Sequence, residues 1–316
     1  DGIRDVERSR GLGDVYKRQI EDSQTNPTQG ISSFNKIEMT EHPDLYVSTL
    51  SSVSMALAPL AKENGVPLIG LVVSTPKFTQ QNEWCFRYYP TAETEIPPIL
   101  TLLEKLGIKK LGILYLNDDY GVSVFELLKN ESEKLGIMVE SENFGVRDSD
   151  FKTQIMKLIN KDVDAIYTVG LDKHLKIIFR QIQEMKFKGY VLGPATATLP
   201  SVTTIPESNG VYVAAPMIYN SNFTPADNFK NAYKAKYNKL PNHYVANGYD
   251  FIKMLTTLLK DKEISRNTVK NLLGSSFRYS GVFGELRIDS KLREVNFPLY
   301  PAQIVNSTIK YLSTNE

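Results

Sequence analysis

The stretch Tyr46–Pro76, YVSTLSSVSMALAPLAKENGVPLIGLVVSTP, decides how the chain folds. It reads as a strand end, a Ser-rich turn, a helix, a Gly-Val-Pro turn, a second strand and a second polar turn. Ala56, Leu57, Leu60 and Ala61 recur at helical spacing, and Gly65 stops the helix. Val66 to Val73 is an apolar run bounded by Gly-Val-Pro and Ser-Thr-Pro, as a strand buried on both faces requires. Ser51, Ser52 and Ser54 stand where the first turn becomes helix, so hydroxyls and unpaired N–H groups share one direction. A helix start carries roughly half a unit of positive charge, which suits a small carboxylate or other anion. The second turn, Val72 to Pro76, ends the next strand at the same sheet edge, where ligands of open α/β sheets collect. Capping a helix is the alternative role for these serines.

Outward from this unit the pattern becomes regular. Trp84 to Tyr89 reads as a short strand, and Glu95 to Leu106 as a helix with Pro97 and Pro98 in its first turn. Strands at Lys110–Leu116, Ile137–Glu142, Val163–Thr168 and Tyr190–Leu192 alternate with helices at Val122–Leu135, Asp150–Asn160 and Asp172–Met185. Strands separated by such helices argue for βαβ units in parallel, doubly wound sheets. After a strand at Val211–Ala215, three helical stretches run from Pro225 to Leu273. Gly281–Asp289 and Tyr300–Val305 then alternate like strands, and Asn306-Ser307 suggests a hairpin before Ile309–Leu312. Upstream, Ile20 to Gln24 reads as the tail of a strand and Gly30 to Met39 as a short helix.

Residues 1–19, DGIRDVERSRGLGDVYKRQ, resemble the conceptual translation of a sequencing-library adapter, a flow-cell primer end and a transposase adapter around a short index. They are set aside from the fold, and Gly11-Leu12-Gly13 with them as a dinucleotide loop. This takes Lys+Arg from 37 to 32 and Asp+Glu from 36 to 32, a formal net charge of zero. Nothing in that balance points to nucleic acid or to a polybasic membrane surface. The 297 residues left exceed what one core usually holds, so two lobes are expected. No run approaches the ~20 apolar residues of a membrane helix. The one cysteine, Cys85, excludes an internal disulfide, and His42, His174 and His243 have no metal-ligand spacing. Walker, GxGxxG, GxSxG and Ser/His/Asp patterns are missing, so neither a cofactor nor catalysis is expected.

The segments IEDSQTNP, SSVSMALAPLAKENGVPLI, STPKFTQ, FRYYP, KKLGILYLNDDYG, DSDFKTQIMKLINKDVDAIY, YVANGYDFIKML and SGVFGELRID…PLYPAQIVN carry a family likeness. In their order and spacing from Ile20 to Tyr311, the chain resembles the type I periplasmic substrate-binding proteins of branched-chain amino-acid (leucine/isoleucine/valine) ABC transporters. The resemblance implies an α/β fold of two Rossmann-like lobes joined by three crossovers, near Tyr89–Ala92, Pro216–Ser221 and Phe277–Gly281. One lobe would comprise residues 20–90 and 220–279, the other 91–219 and 280–316. It further implies that a first strand, a first helix and a leader peptide or lipoprotein signal precede Ile20 in the family pattern. Location would be periplasmic, or extracellular with a lipid anchor.

The same resemblance assigns a site. Ser51 and Ser74 match the hydroxyls that clamp an amino-acid carboxylate, Val72 gives backbone contact, and Tyr120 matches the tyrosine closing from the second lobe. The family's acidic partner for the ligand ammonium falls at Ala195, in Gly193-Pro194-Ala195-Thr196. Either the ligand is not a free amino acid or another carboxylate substitutes, for which Asp172 at a strand end is the candidate; Thr196 and Thr198 offer neutral hydrogen bonds. The implied role is the non-catalytic solute-binding component of an ABC importer, with a small amino-acid-like or carboxylate ligand and membrane permease subunits as partners. A ligand-sensing ectodomain or co-receptor is the alternative.

Overall fold

The computed structural model describes residues 19–80 and 82–312. The adapter-like stretch lies outside these, Gln19 excepted. The chain runs α1 (Pro27–Thr40), β1 (Tyr46–Thr49), α2 (Ser51–Glu63), β2 (Leu68–Val72), α3 (Lys77–Gln80) and β3 (Cys85–Arg87). It continues α4 (Ala92–Lys105), β4 (Lys110–Leu116), α5 (Asp119–Lys134), β5 (Met138–Phe144), α6 (Lys152–Ile159), β6 (Ala165–Val169), α7 (Asp172–Glu184) and β7 (Tyr190–Gly193). A 3₁₀ turn over Ala195–Thr198 leads to α8 (Pro200–Thr203), β8 (Tyr212–Pro216), α9 (Thr224–Tyr237), α10 (His243–Leu259) and α11 (Arg266–Leu273). The end is all strand: β9 (Phe277–Gly281), β10 (Gly284–Asp289), β11 (Glu294–Asn296), β12 (Leu299–Val305) and β13 (Thr308–Tyr311).

These strands form two sheets, ordered β1-β2-β3-β11-β10-β9 and β13-β12-β8-β7-β6-β4-β5. Strands β1, β2, β3 and β11 are mutually parallel, as are β8, β7, β6, β4 and β5. Each sheet is covered on both faces. In the first lobe Phe34, Val53, Leu57 and Ala61 pack from α1 and α2, and Phe251, Met254 and Leu258 of α10 cover the other side. In the second, α4 and α5 supply Ile99, Leu102 and Leu128, while α6 and α7 supply Ile155, Leu158 and Ile178. Strands buried this way read as continuous apolar runs, which is why KLGILYL was legible.

Two expectations change. The hairpin β9–β10 and strand β11 belong to the first sheet, so the third crossover falls at Phe297-Pro298 rather than near Phe277–Gly281. Residues 280–296 thus go with the first lobe. The cause is Asp250 on α10, 1% exposed, which accepts the Val282 N–H at 3.0 and 3.1 Å and the Tyr279 hydroxyl at 3.2 Å. Alternation shows that a strand is half-buried, not which sheet it joins. The second change is helix α4, which begins at Ala92 rather than Glu95. Thr91 caps it, accepting from the Thr94 N–H at 3.0 Å, and the Ala92 N–H donates to the Ser74 carbonyl at 2.9 Å. Pro97 and Pro98 consequently lie inside the helix. Smaller differences lie upstream: Ile20–Gln24 is irregular chain and turn, not strand, and α1 starts at Pro27 under an Asn26 cap.

The first lobe is locked by Arg87, 2% exposed at the end of β3. Its guanidinium donates to the Thr75 carbonyl at 2.7 Å, Thr79 Oγ1 at 2.8 Å and Glu294 Oε2 at 2.7 Å. One side chain thereby ties the 74–76 turn and α3 to strand β11. Breaking a buried pair from one end leaves the other charge uncompensated. Arg87→Ala is expected to cost about 3–5 kcal/mol, read as a lowered urea midpoint, and Arg87→Met/Glu294→Leu to cost less than that single change. At the far end of the second sheet, Val305 pairs with Thr308 across Asn306 and Ser307, both exposed, at φ 49° and 61°. That is the geometry of a type I′ hairpin turn, for which glycine is preferred at the second position. Ser307→Gly is expected to stabilise by about 1 kcal/mol, visible as a raised midpoint in the same titration.

Candidate ligand site at the cleft between the lobes

Two turns of the first lobe are hydrogen-bonded to each other. The Leu50 N–H donates to the Val72 carbonyl at 2.8 Å, and the Ser74 N–H donates to Ser51 Oγ at 3.2 Å. Ser51 and Ser74 are 3% and 6% exposed, so both hydroxyls are held in place. Since Ser51 Oγ is already an acceptor, its proton is free for an anion. Leu50 holds φ at 69° and offers no side-chain cap to α2, which leaves the first N–H groups of that helix uncapped by any side chain. A non-glycine residue in that region is strained, by about 1–3 kcal/mol. Ser54 does not take part: its hydroxyl meets that of Ser48 at 2.8 Å within the lobe. The Val72 carbonyl accepts the Leu50 N–H and so joins the turns.

Across the cleft, helix α5 presents its own N-terminus. Asp118 caps it by accepting from the Gly121 N–H at 2.9 Å. A Cβ at Gly121 would stand 1.9 Å from the Leu116 carbonyl oxygen, so only glycine lets the helix start this close to β4. Tyr120 is thereby fixed in the first turn, where burial raises its hydroxyl well above the ordinary range and nearby Thr196 acts against that rise. The lobes touch here directly, Thr75 Oγ1 to Ser123 Oγ at 2.9 Å.

Helix α10 packs in the first lobe but sends its first turn across to the second. Tyr244 stacks its ring on that of Tyr89 in the first crossover, with centroids 6.5 Å apart, and stands near Thr196. His243, 3% exposed, places Nδ1 3.3 Å from Thr198 Oγ1 and 3.2 Å from the Tyr219 hydroxyl. Burial pushes its imidazole down to about 3, so it stays neutral. Tyr219, His243 and Thr198 are therefore hydrogen-bonded to one another, and the rings of Tyr244 and Tyr89 pack beside them in one cluster at the crossovers.

The carboxylate nearest to position 195 is one that the sequence reading passed over. Glu95, 4% exposed, accepts from the Ala195 N–H at 2.8 Å and from the Tyr167 hydroxyl at 3.3 Å. Burial pushes its carboxyl up to about 7, against the two donors that favour the charged form. The signal was present: Glu95 lies on the buried stripe of α4 with Ala92, Ile96, Ile99 and Leu102. Placing the helix start at Glu95 hid it, because a first-turn glutamate is an ordinary exposed feature. Asp172 is half-buried at the start of α7 and accepts from Ser201 Oγ at 3.0 Å and from the Lys173 N–H at 2.8 Å. Of the seven residues singled out, Ser51, Val72 and Ser74 group on one side, Tyr120, Ala195 and Thr196 on the other, and Asp172 at the rim. Cys85 lies buried in β3 with its thiol pushed up to about 12. Among the described residues no three His, Cys, Asp or Glu side chains cluster as metal ligands, and no helix is long and apolar enough to cross a membrane.

Comparison with known proteins gives the fold its place. A leucine-binding protein, LivK, of Thermotoga maritima MSB8 superposes with a TM-score of 0.87 at 22% identity, covering 99% of this chain and 91% of that one. A solute-binding protein of Rhodopseudomonas palustris in complex with benzoate gives a TM-score of 0.84 at 15% identity, over 93% of this chain and 83% of that one. In sequence, the Leu/Ile/Val/Thr-binding protein of Salmonella typhimurium is 21% identical over 92% of this chain and 80% of its own length. Leu/Ile/Val-binding protein homolog 2 of Brucella abortus is 28% identical over 53% of this chain, and the match spans 46% of that relative, about half its length. A family model described as periplasmic binding protein matches residues 3–308, and the chain belongs to that family.

Proposed function

We propose that the protein is the solute-binding component of an ABC importer, closing its two lobes on a small amino-acid-like or carboxylate ligand without catalysing a reaction. The observation that carries this reading is the pair of cross-bonded turns. Ser51, Ser74 and a helix start without a side-chain cap form an anion cradle in one lobe, facing Tyr120 and Thr196 of the other. A ligand touching both lobes favours the closed arrangement over the open one, since only contacts that differ between the states shift their balance. The partners are the membrane permease subunits that receive the ligand, and the location is periplasmic or extracellular.

The experiment is a thermal-shift screen of amino acids, α-hydroxy acids and benzoates on the full chain, because a compound that binds only the folded state raises its melting temperature. At least one member is expected to do so. Ser51→Ala should then weaken that compound by roughly 1–3 kcal/mol, measured by calorimetry, as loss of a hydrogen bond to a charged group requires. Unchanged affinity would remove Ser51 from the site.

A further inference from the structure

We propose that Glu95 accepts the ammonium group of the ligand, a carboxylate delivered from α4 to the 195–198 turn. This deepens the solute-binding reading and rests on it. The geometry begins with the Ala195 N–H, which donates to Glu95 Oε1 at 2.8 Å and so holds the carboxylate against the 195 loop. Tyr167 donates to the same oxygen, which leaves Oε2 without a protein donor among the described residues. Among the described residues no lysine, arginine or histidine pairs with it. A carboxylate 4% exposed is costly to keep charged, and its two neutral donors do not fully offset that cost. An ammonium group entering the cleft would.

The neighbours fit a cation as well. Glu95 lies close enough to Tyr89, Tyr120, Tyr167 and Tyr244 for its charge to raise each hydroxyl further above its ordinary range. These come from the first crossover, α5, β6 and α10, and with Thr196 and the Ala195 amide they are the groups that face it. Aromatic rings attract an ammonium through their electron-rich faces. None of the four titrates near neutrality, and the negative charge of Asp172 is felt at Tyr244. A glutamate at 195 would set a second negative charge beside Glu95; alanine leaves one carboxylate in the place. With a carboxylate cradle at Ser51 and Ser74 and an ammonium acceptor opposite, the ligand class is a free amino acid.

The sign of the pH effect separates this from the competing use of Glu95 as a neutral acid that donates to an amine-free carboxylate. Its carboxyl stands at about 7 in the unliganded fold, above the ordinary 4.5, so it favours the fold at low pH and loses that contribution as pH rises through 7. An ammonium needs the ionised form, whose share falls below pH 7. The dissociation constant of an amino acid should therefore rise about tenfold from pH 8 to pH 6. A ligand held by the neutral acid would show the opposite trend.

The test is calorimetry on the full chain with the protein amino acids, the α-hydroxy acid matching each one that binds, and benzoate. Expected are binding of an amino acid at least about tenfold tighter than its hydroxy acid, and loss of that margin in Glu95→Gln with the hydroxy acid changed less than about twofold. The double change Glu95→Gln/Ala195→Glu, which moves the carboxylate to the loop, should restore part of the margin. Amino-acid affinity unchanged in Glu95→Gln, or a margin that responds to Asp172→Asn instead, overturns the assignment. So does binding of hydroxy acids or benzoate alone, tightening as pH falls. If no compound of either class binds, the solute-binding reading fails and this one with it. Should Glu95→Gln not fold, the pH trend of the unaltered protein decides.

Discussion

The two hydrogen bonds between the 50–51 and 72–74 turns, Leu50 to Val72 and Ser74 to Ser51, are the constraint on which the cleft depends. They fix the ends of two adjacent parallel strands to each other, so the start of α2 and the second polar turn act as one rigid surface. Arg87 holds that surface from beneath through the Thr75 carbonyl, and the Ala92 N–H holds it from the side through the Ser74 carbonyl. The latter contact also sets where α4 begins. A chain of short, buried hydrogen bonds therefore runs from the first-lobe cradle to the helix that carries Glu95.

Buried polar groups of this kind are costly unless satisfied, and the chain satisfies most of them from neighbouring loops rather than from water. Glu294 answers Arg87, the Val282 N–H answers Asp250, and Tyr219 answers His243. Asp250 and Glu95 both have only neutral donors, and burial raises both carboxyls. Glu95 differs in that both of its donors meet one oxygen, whereas both oxygens of Asp250 accept from Val282. Perturbed groups of that sort concentrate at functional sites, and Glu95 stands at the meeting point of the two lobes.

The cluster at the crossovers shows how one helix serves both halves. Most of α10 packs in the first lobe through Phe251 and Met254, whereas His243 in its first turn bonds Thr198 of the second. Asn247, one turn further on, donates to the Leu71 and Tyr88 carbonyls at 3.0 and 2.8 Å and keeps the helix anchored to β2 and β3.

The amino-acid sequence by itself determined the βαβ alternation, the two lobes, the Asn306-Ser307 hairpin and the position of Ser51 and Ser74 at strand ends. The two lobes follow from chain length, and the others rest on local periods and turn chemistry, which neighbours in the chain decide. Tertiary structure alone decided the rest. Alternation in Gly281–Asp289 marked a half-buried strand, but its place in the first sheet came from the pairing of β11 with β3 and from the buried Asp250 on α10. The serines at 51 and 54 looked equivalent, until Ser48 claimed one and Ser74 the other. Glu95 carried a visible mark, a charge on an apolar stripe. Its meaning came from Ala195, a hundred residues away, because a hydrogen bond across the fold leaves no trace in local spacing.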